Sequence, residues 1–252
     1  MSLRSGCAFA LIAIGSAVSL GGCVANDVSI TIDRFVAATG VAGSCSVDPA
    51  STVSQSSGVF DAEVSAATGM HSYYLGFAMT NHLPLRNDIV VDVQAYTVDG
   101  YDLQLEVHGP AVSVIPNGQR FSIPGSSARL EPGASVGPVI QVFSSDVVGK
   151  LIALGPNLNV SGGSHVTAKV RARVKRAEEQ HVTAYATFPI DVCWGCLSNV
   201  QPTTTNCDLV RMADRAKGNP CNPAQDVPIT CCTPNGTTDV ACGSSIPPAP
   251  AN

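Results

Sequence analysis

The amino-acid sequence predicts an all-β protein: a β-sandwich with one short crossover helix, followed by a small disulfide-rich C-terminal module. Three observations lead to this prediction. Charged residues make up 13% of the 252 residues, which is too few for long solvated helices or a coiled coil. Several apolar runs alternate with polar residues at the two-residue period of a strand. Seven of the 10 cysteines fall in the last 60 residues.

The overall composition supports a folded protein and argues against a nucleic-acid partner. Hydrophobic residues make up 45% of the chain, more than disordered chains contain. With 14 Lys and Arg against 19 Asp and Glu, the net charge of −5 gives no general attraction for phosphate backbones. We therefore expect no nucleic acid among the partners.

The first segment, residues 1–22, is predicted to be a lipoprotein signal peptide. Arg4 is the only charged side chain before Asp27, and the apolar run 7–20 is short for a membrane span, which needs about 20 residues. Leu20-Gly-Gly-Cys23 resembles the lipobox of bacterial lipoproteins. The resemblance implies that cleavage makes Cys23 the new amino terminus, that its thiol is lipidated, and that residues 23–27 form a tether.

Lipidation at Cys23 would anchor the protein to a membrane without spanning it. Each buried methylene of an acyl chain contributes about 0.8 kcal/mol, so two or more chains anchor stably. Val24 stands where an inner-membrane retention signal would place Asp, which favours the outer membrane, with the body periplasmic or surface-facing. The alternatives are an ordinary secretory peptide with a coincidental cysteine, and an uncleaved amino-terminal anchor.

Residues 28–192 carry the strand-like runs of the sandwich. The alternating runs are 28–33, 59–64, 72–79, 89–98, 101–107, 165–175 and 182–192. Asp99-Gly100 separates two of them and predicts a tight hairpin turn. In 165–175 apolar residues alternate with a basic stripe of Lys and Arg, which we interpret as a solvated outer face rather than a nucleic-acid or anionic-lipid patch.

One stretch of this region has a helical pattern instead. Residues 145–154 begin with Ser145 as a possible N-cap, group their apolar residues on one helix face, and are followed by Gly155. We expect a short helix that crosses between two sheets. Strands at modest spacing, joints rich in Pro and Gly, and one helix together indicate an immunoglobulin-like or related β-sandwich.

Residues 193–245 form the predicted cysteine-rich module, because Cys, Pro, Asn and Thr dominate after Val192. The helical candidate here is 208–217, which is short enough to need stapling by Cys207 and Cys221. Residues 246–252 are predicted to be an extended Pro-rich tail.

Cysteine counting predicts four disulfides. Removing Cys7 with the signal peptide and lipidating Cys23 leaves an even number in an exported chain, with 105 possible pairings. The cysteines expected to pair are Cys45, Cys193, Cys196, Cys207, Cys221, Cys231, Cys232 and Cys242. Two alternatives concern Cys193-Trp-Gly-Cys196. It has the spacing of a zinc knuckle, with Cys231-Cys232 as a second pair, and of a redox-active Cys-x-x-Cys motif.

The chain resembles alanine- and valine-rich outer-membrane lipoproteins of the myxobacterial type, in which a sandwich precedes a cysteine-rich end. The residues that carry the resemblance are the lipobox, Cys45-Ser-Val-Asp-Pro49, the run from Phe188 to Cys196, and the run from Gly218 to Asp226 leading to Cys231-Cys232. The resemblance implies a compartment and an architecture but no activity.

No motif predicts catalysis, a cofactor or a metal site, so we expect a protein that is not an enzyme. The five histidines show no closely spaced ligand pair, although His71 and His82 could meet a carboxylate such as Asp92 in space. Trp194 could be a ligand platform, but packing on a disulfide is the simpler interpretation. Three hypotheses remain: a structural or adhesive envelope lipoprotein with an envelope protein or glycan as partner, a binding module for a small ligand or glycan, and an unrecognised hydrolase or metal protein. We favour the first.

Overall fold

The computed structural model describes residues 29–41, 44–84, 94–198, 206–209, 215–234, 237, 240–243 and 246. The predicted signal peptide 1–22, the tether 23–27 with its lipidation site Cys23, and the tail beyond residue 246 lie outside the described residues. So do Asp92 and the first part of the predicted strand 89–98.

Strands dominate the described part of the chain, as the sequence predicts. They are β1 Ile30–Phe35, β2 Thr39–Val41, β3 Ser44–Ser46, β4 Gly58–Asp61, β5 Tyr73–Asn81, β6 Tyr96–His108, β7 Gln119–Pro124, β8 Arg129–Leu130, β9 Ser135–Val136, β10 Val139–Phe143, β11 Ser164–Arg176, β12 Glu179–Val182, β13 Ala186–Cys193, β14 Cys231–Cys232 and β15 Ala241–Cys242. The helices are α1 Ala62–Thr68 and α2 Ser145–Leu154, with 3-10 segments at Pro110–Ser113, Gly155–Gly162 and Cys207–Leu209.

Two sheets of unequal size build the body. The smaller has the order β1-β5-β10, with β9 also paired to β5. The larger has the order β4-β13-β11-β6-β7, with β12 on β11 and β8 on β6. The pairings are antiparallel except for β4 with β13, which is parallel. Two further two-stranded sheets are formed by β2 with β3 and by β14 with β15.

The hydrophobic core lies between the two sheets. Phe35 of β1 faces Phe188 of β13 with ring centroids 4.8 Å apart, and Phe77 of β5 meets Tyr101 of β6 edge-on at 5.5 Å. Such aromatic pairs stabilise beyond the area they bury. Because each pair joins one sheet to the other, the predicted all-β sandwich is confirmed.

The outer face of β11 carries the predicted basic stripe, and β6 supplies its counter-charges. The apolar residues of β11 that alternate with the stripe are buried. Lys169 contacts Glu106 at 2.5 Å, and Arg171 contacts Asp102 at 3.0 Å, while Arg173 binds the other oxygen of Asp102. The stripe is therefore matched by an acidic stripe on its neighbour.

Helix α2 occupies the predicted residues, but its N-cap is Ser144 and not Ser145. It connects β10 of the smaller sheet to β11 of the larger, as expected for the crossover. Helix α1 was not predicted. The expected strand 59–64 ends at Asp61, whose side chain caps α1 by accepting hydrogen bonds from two helix amides, and Gly69 ends the helix with a φ of 69°.

The predicted hairpin at Asp99-Gly100 is wrong, because β6 runs through both residues. The register of β6 on β11 shifts here, with Gly100 opposite Arg173 and Val98 opposite Val174, so Asp99 is the extra residue of a bulge. A Cβ on Gly100 would meet the Arg173 guanidinium at 2.4 Å. The glycine serves close packing between neighbouring strands rather than a turn.

The cysteine-rich residues pack onto the sandwich. Ala224, Ile229, Cys231 and Cys242 belong to the main hydrophobic core. The Gln225 side chain pairs with the backbone of β5 in both directions. The composition changes at residue 193, but the core continues across that point.

The described residues of the predicted helix 208–217 do not form an α-helix. Residues 207–209 form a 3-10 turn, and Lys217 is extended and bridges Ile229; residues 210–214 lie outside the described chain. Cys207 and Cys221 do not clamp this segment together, since each is bonded to a distant cysteine.

Candidate functional site

The structure pairs all eight cysteines expected in disulfides. The bonds are Cys45–Cys221, Cys193–Cys196, Cys207–Cys232 and Cys231–Cys242. Adjacent Cys231 and Cys232 bond to different partners, so they do not form the second thiolate pair that the zinc alternative requires.

The Cys193–Cys196 disulfide differs from the others in exposure. Cys196 is exposed and Cys193 half-buried. Each of the other bonds contains at least one cysteine that is almost fully buried: Cys221 and Cys232 are 0% exposed, and Cys231 is 1% exposed. Cys45, the partner of Cys221, is half-buried, so Cys193–Cys196 is the most exposed pair of the four and the one that contains an exposed cysteine.

The loop Cys193-Trp-Gly-Cys196 follows β13 and is held mainly by Asp61. One carboxylate oxygen of Asp61 accepts the amide of Gly195 at 2.9 Å, and the other accepts the amide of Leu197 at 2.8 Å. Asp61 is completely buried. The left-handed φ of 77° at Gly195 lets the loop turn back toward this carboxylate.

The backbone of Trp194, at the centre of the loop, is bound in both directions by one side chain. Its amide donates to the Asn159 side chain at 3.0 Å, and its carbonyl accepts from the same side chain at 2.8 Å. The half-buried ring packs against the main core. The two hydrogen bonds from the Asn159 side chain hold the centre of the loop in place.

Acidic groups lie close to the two sulfurs. The Asp61 carboxylate and the sulfurs of Cys193 and Cys196 are within 4.8 Å of one another. Burial, and then the neighbouring Asp61 charge, raises the pKa of Glu63 above its ordinary value. A sulfur released from this bond would lie beside the Asp61 carboxylate, which favours its protonated thiol form.

A pocket of about 350 Å³ opens beside the disulfide. Both cysteines line it, together with His165 on β11 and Asp191 on β13. His165 Nδ1 contacts the Asp191 carboxylate at 2.6 Å and Nε2 contacts the Gly162 carbonyl at 3.2 Å. The bond to Asp191 is the main reason that the pKa of His165 is raised. With both nitrogens bound to acceptors, the ring is suited to carrying a charge and not to accepting a proton from a nucleophile.

His82, one of the two histidines that could meet a carboxylate, contacts Asp33. His82 Nε2 lies 3.0 Å from Asp33 and 2.8 Å from the Thr31 hydroxyl. The same ring nitrogen contacts both groups, so the imidazole does not relay between a carboxylate and a hydroxyl as a triad histidine does. These side chains are part of an exposed hydrogen-bond cluster.

A second concave surface lies on the outer face of the larger sheet. It encloses about 320 Å³ and is lined by Asp102, Leu103, Arg120, Phe121, Ser122, Arg171 and Tyr185. Tyr185 is 40% exposed, and the Arg171 guanidinium lies 4.8 Å from the centre of its ring. We call this surface the Tyr185 groove.

Sequence reasoning identified the cysteines and the basic stripe but missed Asp61 and the His165–Asp191 pair. A signal for Asp61 was present, since Asp followed by Ala-Glu-Val-Ser-Ala-Ala-Thr and Gly69 is a capped helix pattern. The pair depends on the register of β11 against β13, which places His165 opposite Asp191. Spacing in the sequence does not encode that register.

No protein-family model and no curated protein matches this chain.

Proposed function

We propose that this protein is a non-enzymatic lipoprotein of the bacterial cell envelope, anchored to the outer membrane through acylated Cys23 and serving a structural or adhesive role. The observation that carries the proposal is the set of four disulfides, which includes one that joins cysteines 176 residues apart. Disulfides of this number are characteristic of proteins exported to an oxidising compartment. The lipobox-like sequence before Cys23 supplies the anchor.

Two features of the body fit a structural role in the cell envelope. Cys45–Cys221 ties the start of the sandwich to the cysteine-rich end, and the core is continuous between them. The outer face of the larger sheet is covered with matched ion pairs rather than an unopposed basic patch. Within the described ranges, no helix combines the length and apolarity that crossing a bilayer demands.

The anchor is tested on protein purified from a bacterial host that expresses the full sequence. Mass spectrometry of the amino-terminal peptide is expected to find Cys23 at the terminus with acyl mass attached. Detergent phase partitioning should place the protein in the detergent phase, and Cys23→Ser should remove the acyl mass from the amino-terminal region. A wild-type amino terminus at another residue, or Cys23 without acyl mass, would overturn the proposal.

The second candidate function is glycan binding, and the Tyr185 groove favours it. Sugar rings stack on exposed aromatic faces and bond to charged and hydroxyl groups, and the groove combines Tyr185 with Asp102, Arg120 and Ser122. Calorimetric titration with soluble envelope polysaccharide tests this candidate. Binding that is lost in Tyr185→Ala and kept in Val182→Ala, a change at another exposed position, would support it. No binding by the wild type would exclude that ligand.

A further inference from the structure

We propose that Cys193–Cys196 is an exchangeable disulfide that reacts with thiols entering the adjacent pocket, while the other three disulfides of the folded protein stay intact. The proposal goes beyond an anchored structural role and does not depend on it. Its partners are defined by chemistry as free thiols, carried either by small molecules or by a cysteine of another protein.

Access is the first argument. Thiol–disulfide exchange requires a thiolate to reach a disulfide sulfur, so its rate depends on exposure. Cys196 is exposed and borders the pocket of about 350 Å³, which has room for a cysteine side chain and its neighbours. The cysteines of Cys207–Cys232 and Cys231–Cys242 are at most 3% exposed, and Cys45–Cys221 joins a half-buried cysteine to one that is 0% exposed.

The second argument is that the loop does not need the sulfur bond to keep its shape. Asp61 binds the amides of Gly195 and Leu197, and Asn159 holds both backbone groups of Trp194. These bonds remain when the disulfide opens. The two thiols then stay close together, so the bond can re-form without refolding.

The third argument is the size of the ring that the bond closes. Cys193 and Cys196 are 3 residues apart, whereas the other pairs are separated by 11, 25 and 176 residues. A disulfide restricts the unfolded chain less when it closes a smaller loop. Opening this bond therefore costs the least stability of the four.

The exchange is balanced in two steps. A thiolate attacks the exposed Cys196 Sγ, a bond forms between the incoming sulfur and Cys196, and the bond to Cys193 breaks. The electron pair leaves on Cys193, which takes up a proton from the solvent. A second thiolate attacks the incoming sulfur, and its bond to Cys196 breaks. The electron pair leaves on Cys196, which also takes up a proton, so an external disulfide is released and two thiols remain on the protein. Two external thiols are oxidised, and Cys193–Cys196 is reduced by two electrons.

The first test uses the oxidised full chain without substitutions. The protein is incubated in glutathione redox buffers under native conditions, alkylated, and mapped by mass spectrometry, with circular dichroism as the check on folding. Among the eight cysteines in disulfides, we expect alkylation at Cys193 and Cys196 only, with an unchanged spectrum. Reduction of another pair first, or reduction of this pair only when the protein unfolds, would overturn the proposal.

The second test asks which sulfur is attacked. Cys193→Ser leaves the exposed Cys196, which is expected to form a mixed disulfide with oxidised glutathione about tenfold faster than the Cys193 left by Cys196→Ser, because access controls the rate. Cys207→Ser is the matched control, because it leaves Cys232, which is 0% exposed and should not react. Equal rates in all three variants would contradict the assignment.

A third test distinguishes the two sources of thiol. Reduction of the wild-type disulfide by glutathione is compared with reduction by a cysteine-containing peptide at equal thiolate concentration. A faster reaction with the peptide supports protein thiols as partners, and equal rates support small thiols. Failure of both to react with the folded protein would overturn the proposal, whatever the outcome for the lipid anchor.

Discussion

The buried carboxylate of Asp61 accepts a hydrogen bond from the backbone amide of Leu197 at 2.8 Å, across 136 residues of sequence. Its other oxygen accepts the amides of Glu63 and Val64 in α1 and of Gly195 in the loop after β13. One side chain thus caps a helix and holds a disulfide loop. Removing it would leave several buried donors without an acceptor.

We therefore expect Asp61→Ala to lower the free energy of unfolding by about 3 kcal/mol. The loss of an N-cap contributes about 1 kcal/mol. The amides of Gly195 and Leu197, which would lose their acceptor, contribute the remainder. Urea denaturation measures the change. The control is Asp146→Ala in the first turn of α2, whose side chain is 77% exposed and pairs with Lys150 at the surface. That change should cost no more than about 0.5 kcal/mol, and an equal cost for both would contradict the role of Asp61.

The parts of the fold that the sequence predicted are those with a local cause. Burial alternates along residues 165–175 because neighbouring side chains of one strand point to opposite faces. The helix at 145–154 followed from its apolar face and from Gly155. The hairpin predicted at Asp99-Gly100 was wrong because the conformation there depends on Arg173 of the adjacent strand, which no local pattern includes.

The same distinction explains the candidate site. The number of cysteines and the predicted export signal were enough to predict disulfides, but not the partners. Cys45 and Cys221 have Cα atoms 5.2 Å apart only because the cysteine-rich end folds back over β5. The pocket beside Cys193 likewise arises where three separate segments meet, so it could not be predicted from any one of them.

Removing Cys45–Cys221 is expected to destabilise the protein far more than removing Cys193–Cys196. Cys45 and Cys221 are 176 residues apart in the sequence, whereas Cys193 and Cys196 are 3 residues apart. In the chain-entropy description, closing the longer loop contributes about 5 kcal/mol and closing the shorter loop about 2 kcal/mol. Urea denaturation of the two double-alanine variants checks the difference. Comparable losses would show that local contacts, and not chain entropy, determine the contribution of these bonds.

Two glycine positions are expected to respond oppositely to alanine. Gly149 lies in α2 with nothing within 4 Å of an added Cβ, so Gly149→Ala should raise stability by about 0.5 to 1 kcal/mol. A Cβ on Gly76 in β5 would meet a Val47 methyl at 2.2 Å and the Val36 carbonyl at 2.7 Å. Gly76→Ala should therefore destabilise by about 2 kcal/mol or more. Thermal unfolding compares the two, and a stabilised Gly76→Ala would contradict the packing described for β5.

His165 should titrate above the ordinary histidine value of 6.5, because its bond to Asp191 favours the charged ring. Since the folded pKa is the higher one, the stabilisation is complete below the unfolded pKa and is lost as the pH rises through the folded pKa. NMR titration of the imidazole measures the shift. Asp191→Asn should return the pKa toward 6.5, and Asp33→Asn, beside His82, should leave it unchanged. An unaltered His165 titration in Asp191→Asn would contradict the assignment.

Asp226 gives the opposite kind of pH dependence from an ordinary paired carboxylate. Its Oδ1 accepts the Tyr73 hydroxyl at 3.0 Å and the Val59 amide at 2.9 Å, yet burial is the largest effect and raises the pKa above 3.8. The folded protein thus holds the Asp226 proton more tightly than the unfolded chain. The stabilisation is present when the group is protonated and falls as the pH rises from 3.8 through the folded pKa.

Asp226→Asn removes this titration while keeping an oxygen that can accept both bonds, and Asn tolerates the left-handed φ of 64° at this position. The free energy of unfolding of the variant relative to wild type should therefore increase from about pH 3 to about pH 7, because only the wild type loses the contribution. Urea denaturation at both pH values measures this difference. A relative stability of Asp226→Asn that decreases with pH would mean that the hydrogen bonds from Tyr73 and Val59 outweigh burial in setting the charge of this carboxyl.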